Sequence, residues 1–409
     1  MFKGYKYRIY PTKEQREYIN KCCGASRFIY NWALRTTKER SDQAKANGEK
    51  YFYDNYKMST ELTALMKMPE VDGEFSFGWL SELDADMRNY ALLDLANAFK
   101  NIKKTGAGYP VFKKKGKCTE SYTTGNRSNR IRMLDDNHIK LPKMGSVKIV
   151  LHRPIDGIIK VATISRTTTD KYYVSLRLDI PEPEVPLTNK GGKLGVHMGL
   201  SEFYSTSAGT VCHNPRFMAK MLKRLRIEQR KLSHMEQSHI TGYREWRDKN
   251  GNLCRKPIYD KPLSECKNYQ KQRLMVAKVY EKIANQRKDF QNVESLKLAE
   301  ENSIVCMETL DIKQLTHNNR LSRHIQDAAW FQFKAMTEYK MKERGGILVE
   351  LPTEFPSAQT CSSCGYKNPL VKDLSIRKWD CPKCGAHQIR GINAGTNLLQ
   401  AGLKQLLEF

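Results

Sequence analysis

Apolar positions along this chain change period several times, and the changes mark its organisation. Tyr5-Lys6-Tyr7-Arg8-Ile9-Tyr10 has the two-residue period of a strand, closed by Pro11. Thr12, followed by Glu14 and Gln15, predicts a helix cap, and Tyr18, Ile19, Cys22 and Cys23 continue with helical spacing. Helical patterns run to about Lys104, with Leu80, Leu83, Met87, Tyr90, Leu93 and Ala96 as a stripe to bury. Gly106 to Lys117 is turn-rich and basic. From Tyr122 to Ile180 the texture is that of strands, β-branched or aromatic at Val147–Leu151 and Tyr172–Leu176, with turns at Asp156-Gly157 and Asp170-Lys171. Pro181, Pro183 and Pro186 then stiffen the path to Gly191-Gly192, which predicts a domain boundary.

Beyond it comes a buried-type strand, Lys193 to Leu200, and a polar strand pair to Cys212. Two long helices are predicted over Phe217–Glu236 and Lys267–Glu301, the first with an apolar stripe of Met218, Met221, Leu222, Leu225 and Leu232. His239 to Cys266 is charged and turn-rich, and reads as an inserted loop. An apolar strand, Ser303 to Met307, ends at Glu308. One more helix and a strand over Ile347–Leu351 lead to a cysteine cluster. No internal repeat is present.

Charge narrows the function. Hydrophobic residues are 40% of the 409, enough for real cores, but 70 Lys and Arg face 44 Asp and Glu, a formal charge of +26. An excess of that size predicts a polyanionic partner, nucleic acid before membrane. No apolar run is long enough for a bilayer-spanning helix, and the opening Met1–Tyr7 lacks the apolar stretch of a signal peptide. Eleven scattered cysteines argue against a secreted disulfide scaffold and for a cytoplasmic protein.

Four of those cysteines have metal-ligand spacing. Cys361-x-x-Cys364 and Cys381-x-x-Cys384 lie sixteen residues apart, each followed directly by a glycine, Gly365 and Gly385. Two such knuckles complete one tetrahedron, and a closed four-thiolate site is structural, which predicts a zinc ribbon.

Several blocks resemble TnpB, the transposon-encoded RNA-guided DNA nuclease related to type V CRISPR effectors. They are Lys6–Pro11, Gly24–Asn31, Gly108–Lys113, Leu141-Pro142-Lys143, Asn214-Pro215-Arg216, and the ribbon followed by Ile392–Asn397. The resemblance implies an α+β multidomain protein: a wedge β-barrel with an inserted helical recognition domain, then a RuvC-like domain of RNase H fold interrupted by a zinc ribbon. On this chain that plan gives a wedge strand over 1–11, a helical domain over 12–105 and the wedge barrel over 106–186. The RuvC-like domain follows over 187–357 and 388–409, around a ribbon over 358–387.

RuvC-type cleavage uses three carboxylates on two Mg²⁺ ions, because hard cations take anionic oxygen ligands. Of the family's Asp, Glu and Asp, this chain keeps Glu308. His197 stands where the first Asp is expected and Gly391 where the last is. An imidazole offers one neutral or cationic nitrogen and a glycine offers nothing. The centre is therefore expected to be inactive, with Mg²⁺ not expected for catalysis, and the chain is similar to the nuclease-dead repressor subgroup (TldR). The function implied is RNA-guided, sequence-specific DNA binding with repression by promoter occlusion, in the cytoplasm and nucleoid of a prokaryote. The alternatives are a guided endonuclease or nickase with a degenerate metal site, and an RNA-independent zinc-ribbon DNA-binding protein accessory to transposition.

The partners implied are a guide RNA with a structured scaffold and double-stranded target DNA beside a short flanking motif. Candidate contacts are Lys113, Lys114, Lys115, Lys117, Arg127, Arg130 and Arg132, with Tyr109, Phe112 and Tyr122 to stack on bases. Arg88, Asn89, Asn97, Thr123 and Asn126 are candidates for reading the flanking motif. Lys220, Lys223, Arg224, Arg226, Arg230 and Lys231 form a basic helix face, and Arg287 is a candidate for the heteroduplex.

Overall fold

The computed structural model describes residues 2–69, 76–181, 188–248, 250–312, 315 and 319–408. Pro183, Pro186 and the boundary expected at 186/187 lie outside them. The chain divides into two compact units, Met1–Glu182 and Pro183–Phe409.

The first unit begins with β1 (Phe2–Tyr10), whose alternation places Tyr7 and Ile9 in the core and Lys6 and Tyr10 in solvent. Three helices are inserted after it: α1 (Lys13–Ala46), α2 (Asn55–Lys67) and α3 (Ala85–Thr105). A capping box starts α1: the Gln15 amide donates to Thr12 Oγ1 at 3.3 Å, and the Thr12 amide donates to Gln15 Oε1 at 3.0 Å. The strands follow as β2 (Glu120–Gly125), β3 (Arg132–Asp135), β4 (His138–Leu141), β5 (Gly145–Val150), β6 (Ile158–Arg166) and β7 (Tyr172–Asp179). They form a seven-stranded antiparallel sheet, curled as a half-barrel, in the order β2-β6-β7-β1-β5-β4-β3. Helices and sheet share one core. Ile19, Ile29 and Leu34 of α1 and Met87, Leu92 and Leu95 of α3 pack with Ile149, Val174 and Leu176. Burial of such side chains is worth ~1.5–3 kcal/mol each. On α3 the buried face is turned slightly from the predicted stripe: Leu92 and Leu95 are enclosed, while Tyr90 and Leu93 are half-buried.

The second unit opens with the antiparallel strands β8 (Gly192–Met198), β9 (Glu202–Thr206) and β10 (Val211–His213), followed by α4 (Phe217–Gln237). The expected inserted loop contains a hairpin, β11 (Ile240–Arg247) and β12 (Leu253–Tyr259). Then come α5 (Lys267–Glu301) and β13 (Asn302–Glu308). In place of the single predicted helix there are two, α6 (Asn319–Ala328) and α7 (Trp330–Glu343), separated by Ala329 in a left-handed conformation (φ +46°). The rest is β14 (Ile347–Leu351), the short pair β15 (Lys378–Asp380) and β16 (His387–Ile389), and α8 (Arg390–Leu407).

The sheet order is β10-β9-β8-β13-β14, with β13 parallel to both β8 and β14. This is a mixed RNase-H-like sheet flanked by helices. Two glycines let α8 lie directly on β8: a Cβ on Gly195 would collide with the Gly395 carbonyl. Among the described residues no helix is long and apolar enough to cross a membrane.

α7 is tied to α5 by a buried cation. Lys340 Nζ donates to Asn292 O at 2.6 Å, Asn292 Oδ1 at 2.8 Å and Ser295 Oγ at 2.9 Å. Burial, with Arg344 nearby, brings its ammonium down to about 8. An unfolded lysine holds its proton to about 10.4, so unfolding takes up a proton between those values. The Lys340 contribution to stability therefore rises with pH through that window, and its penalty is fully present below it. Denaturant unfolding below and above pH 8 is expected to show wild type gaining stability relative to Lys340→Met as pH rises.

Candidate functional site

The cysteine cluster is built by two knuckles. In each, the glycine after the second cysteine takes positive φ (Gly365 +74°, Gly385 +71°). Its amide turns back onto the first cysteine's carbonyl, Gly365 to Cys361 at 2.9 Å and Gly385 to Cys381 at 2.8 Å. The four Sγ atoms all lie within 4.8 Å of one another, with Cys364–Cys381 at 3.6 Å and Cys361–Cys384 at 3.8 Å. A tetrahedral ion with Zn–S bonds of about 2.3 Å needs sulfur–sulfur edges of roughly 3.8 Å, so these residues fit zinc. Burial opposes ionisation of Cys361, but the backbone amides of Ser363 and Cys364 and the neighbouring thiols outweigh it and bring this thiol down to about 6. The buried amide of Gln388 also donates to Cys361 Sγ at 3.3 Å. Asn393 and Asn397 of α8 hold the module from below: Ser362 N donates to Asn393 Oδ1 at 2.8 Å, and both asparagine amides donate to the Thr360 carbonyl. The site is structural, with every ligand position taken by sulfur.

The three positions expected for a RuvC-like centre meet at one end of the RNase-H-like sheet. His197 lies near the end of β8, Glu308 ends the adjacent β13, and Gly391 sits in the first turn of α8. His197 Nδ1 is 2.8 Å from Glu308 Oε1, but the ring is out of line for a hydrogen bond and this buried nitrogen makes none. The same Oε1 accepts the Met198 amide at 3.1 Å. Ser205, opposite His197 on β9, occupies the space above Gly391: a Cβ at 391 would lie 2.6 Å from Ser205 Oγ and 2.8 Å from its Cβ. Ser205 escapes a reading of the sequence because only the β8–β9 register brings it here. Glu202, at the start of β9, is paired with His213 Nδ1 at 2.6 Å.

Many predicted contact residues already have partners inside the protein. Arg130 pairs with the buried Asp84 at 3.5 Å and with Asp86, which Arg127 also approaches at 3.3 Å. Asn126 staples Ile131 and Ile159 through four-way backbone bonding that includes its own amide to Lys160 O. Arg88 donates to Leu80 O at 2.8 Å, Thr123 bonds Thr163, and Asn89 bonds Ser59. Lys113 stands over the Tyr30 ring at 4.0 Å with Asp94 at 3.6 Å. Tyr122 is enclosed in the core, which removes it from base stacking. Arg287 donates to Gln326 O, while its Nε, with Gln291 Oε1 and Asp327 Oδ1, is buried without a protein partner beside a cavity of about 10 Å³, the size of one water site. Lys114, Lys115, Lys117, Asn97 and Arg132 are exposed, as are Tyr109 and Phe112, over both of which Lys38 lies.

Several stretches of the chain match models of known families. Residues 1–46 match a model described as a helix-turn-helix domain, although here they form β1 and the single helix α1. Residues 175–319 match a probable transposase model, and residues 330–398 a Cas12f1-like TNB domain. A Streptomyces pristinaespiralis protein named "Putative RNA-guided DNA endonuclease" is 29% identical over 98% of this chain and 89% of its own length. The Escherichia coli "Putative RNA-guided DNA endonuclease InsQ" is 24% identical over 98% and 92%. Among solved structures, a CRISPR-Cas12f ternary complex aligns over 95% of this chain and 82% of its own at 14% identity, with a TM-score of 0.36. CasPhi-2 (Cas12j) bound to crRNA and phosphorothioate-DNA aligns over 98% and 91% at 10% identity, with a TM-score of 0.43. Fits that loose say nothing of the site. The chain is thus similar, piece by piece, to transposase and Cas12f1-like models and, over nearly its whole length, to relatives of the TnpB kind.

Proposed function

We propose that this chain is an RNA-guided, sequence-specific DNA-binding protein that has lost strand cleavage and represses transcription by occupying a promoter. The observation that carries the reading is the grouping of His197 and Gly391, where the resemblance to TnpB implies aspartates, with Glu308 at one end of the sheet. One carboxylate supplies too few anionic oxygens to hold the two Mg²⁺ ions that would clamp the attacking and leaving oxygens. Glu308 is engaged by the Met198 amide, a structural use that needs no metal.

The two relatives that carry the name "Putative RNA-guided DNA endonuclease", each matched over 98% of this chain, support the guided part of the reading. So does a net charge of +26, suited to holding a nucleic-acid backbone. In such a division of labour the protein reads a short flanking motif and base pairing reads the rest. Repression follows from occupancy alone, for which slow dissociation matters and cutting would be harmful. Sequencing the RNA that copurifies from the native host tests this. A scaffold ending in a segment that matches a host promoter is expected. No enriched RNA would remove the guided reading and leave the zinc-ribbon DNA binder.

A further inference from the structure

The β11–β12 hairpin has two unlike faces. On one, Glu245 lies directly opposite Arg255, and the Arg255 guanidinium covers the Tyr243 ring at 5.0 Å. That face is compensated. On the other, Arg244 lies directly opposite Lys256, with Trp246 opposite Cys254 and Gly242 opposite Ile258. Among the described residues neither Arg244 nor Lys256 has an ion-pair partner. Like charges directly opposed weaken a strand pair, and a two-stranded hairpin has little stability to lose. Trp246 and Ile258 on the same face are 47% and 50% exposed.

We propose that this face, Arg244, Trp246, Lys256 and Ile258, is a docking surface for unpaired nucleotides of a structured RNA. Two cations a cross-strand distance apart match the phosphates of a single strand, and an exposed indole beside them offers a plane for a base. RNA loops present unstacked bases permanently, whereas a DNA duplex keeps its bases paired and stacked. The proposal rests on the guided reading only in taking RNA as the ligand.

The test uses the full chain, freed of nucleic acid, and a stem–loop RNA with a uridine loop, beside the same stem without a loop and a single-stranded DNA of the loop sequence. Lys256→Glu is the informative variant. It turns the opposed cations into a complementary pair, so hydrogen exchange in the hairpin is expected to slow while stem–loop binding weakens about tenfold. The logarithmic salt slope is expected to fall by about 1.4, roughly 0.7 for each single-strand phosphate that is no longer neutralised. Arg247→Glu, with the same change of charge on the other face, is expected to weaken binding less than twofold. Trp246→Ala is expected to lose the preference for the looped RNA and Trp246→Phe to keep it.

Equal weakening by Lys256→Glu and Arg247→Glu would reduce the effect to general surface charge and overturn the proposal. Weakening confined to the single-stranded DNA would make DNA the occupant and overturn it too. If RNA copurifies but Lys256→Glu binds it like wild type, the docking surface fails alone. If none copurifies while stem–loop binding depends on this face, the guided reading fails alone.

Discussion

Combining His197→Asp and Gly391→Asp with Ser205→Gly is expected to produce Mg²⁺-dependent cleavage of guide-matched DNA, which the unaltered chain is expected to leave intact. The gain expected is at least ~10³-fold in cleavage rate, a small share of the 10⁶ or more that enzymes commonly supply. The two aspartates would join Glu308 at the shared end of β8, β13 and α8, supplying the three carboxylates that two hard cations need. Ser205 decides whether they fit. With a Cβ at 391 only 2.6 Å from Ser205 Oγ, the His197→Asp, Gly391→Asp double variant is expected to recover less than the triple one. Equal recovery by both would show that β9 gives way easily. No cleavage by any variant, with guided binding intact, would mean that more than these ligands has been lost.

Removing the zinc ligands is expected to have the largest structural effect. Within the ribbon, only Val371 and Trp379 join Cys361 and Cys381 in a buried cluster. A module that small folds on its metal, since binding free energy is there folding free energy, on the order of 10–16 kcal/mol in isolated zinc-finger peptides. Cys361→Ser and Cys381→Ser are each expected to reduce bound zinc from one equivalent to near none and to make residues 358–387 the first site of proteolysis. Zinc analysis and limited proteolysis check this. The Met1–Glu182 unit has its own core and is expected to melt as before. Retention of a full equivalent of zinc by either variant would contradict the four-thiolate site.

How much was legible depended on whether a residue's neighbours lay along the chain or across the fold. The helices over Phe217–Gln237 and Lys267–Glu301 stood out because each runs unbroken between clear stops. The β11–β12 hairpin was hidden because none of its residues is buried, so no buried face imposes an apolar alternation. The break at Ala329 was invisible, since alanine is the strongest helix former and yet sits in a left-handed conformation there. The four cysteines were readable from spacing alone, because each knuckle is local. His197 and Gly391 were readable only through the resemblance to TnpB. The partners that engage Arg130 and Asn126 across the fold, Asp86 and Ile159, lie more than thirty residues away in sequence, so this engagement could not be foreseen.

The most direct test of the central claim is one assay on the complex as purified with its RNA. Guide-matched DNA carrying the flanking motif is incubated with it in Mg²⁺, and binding and strand integrity are read on the same sample. Tight, guide-dependent binding with both strands intact is the result expected. Guide-dependent cutting by the unaltered chain would contradict the account and make this protein a nuclease with a rebuilt metal site.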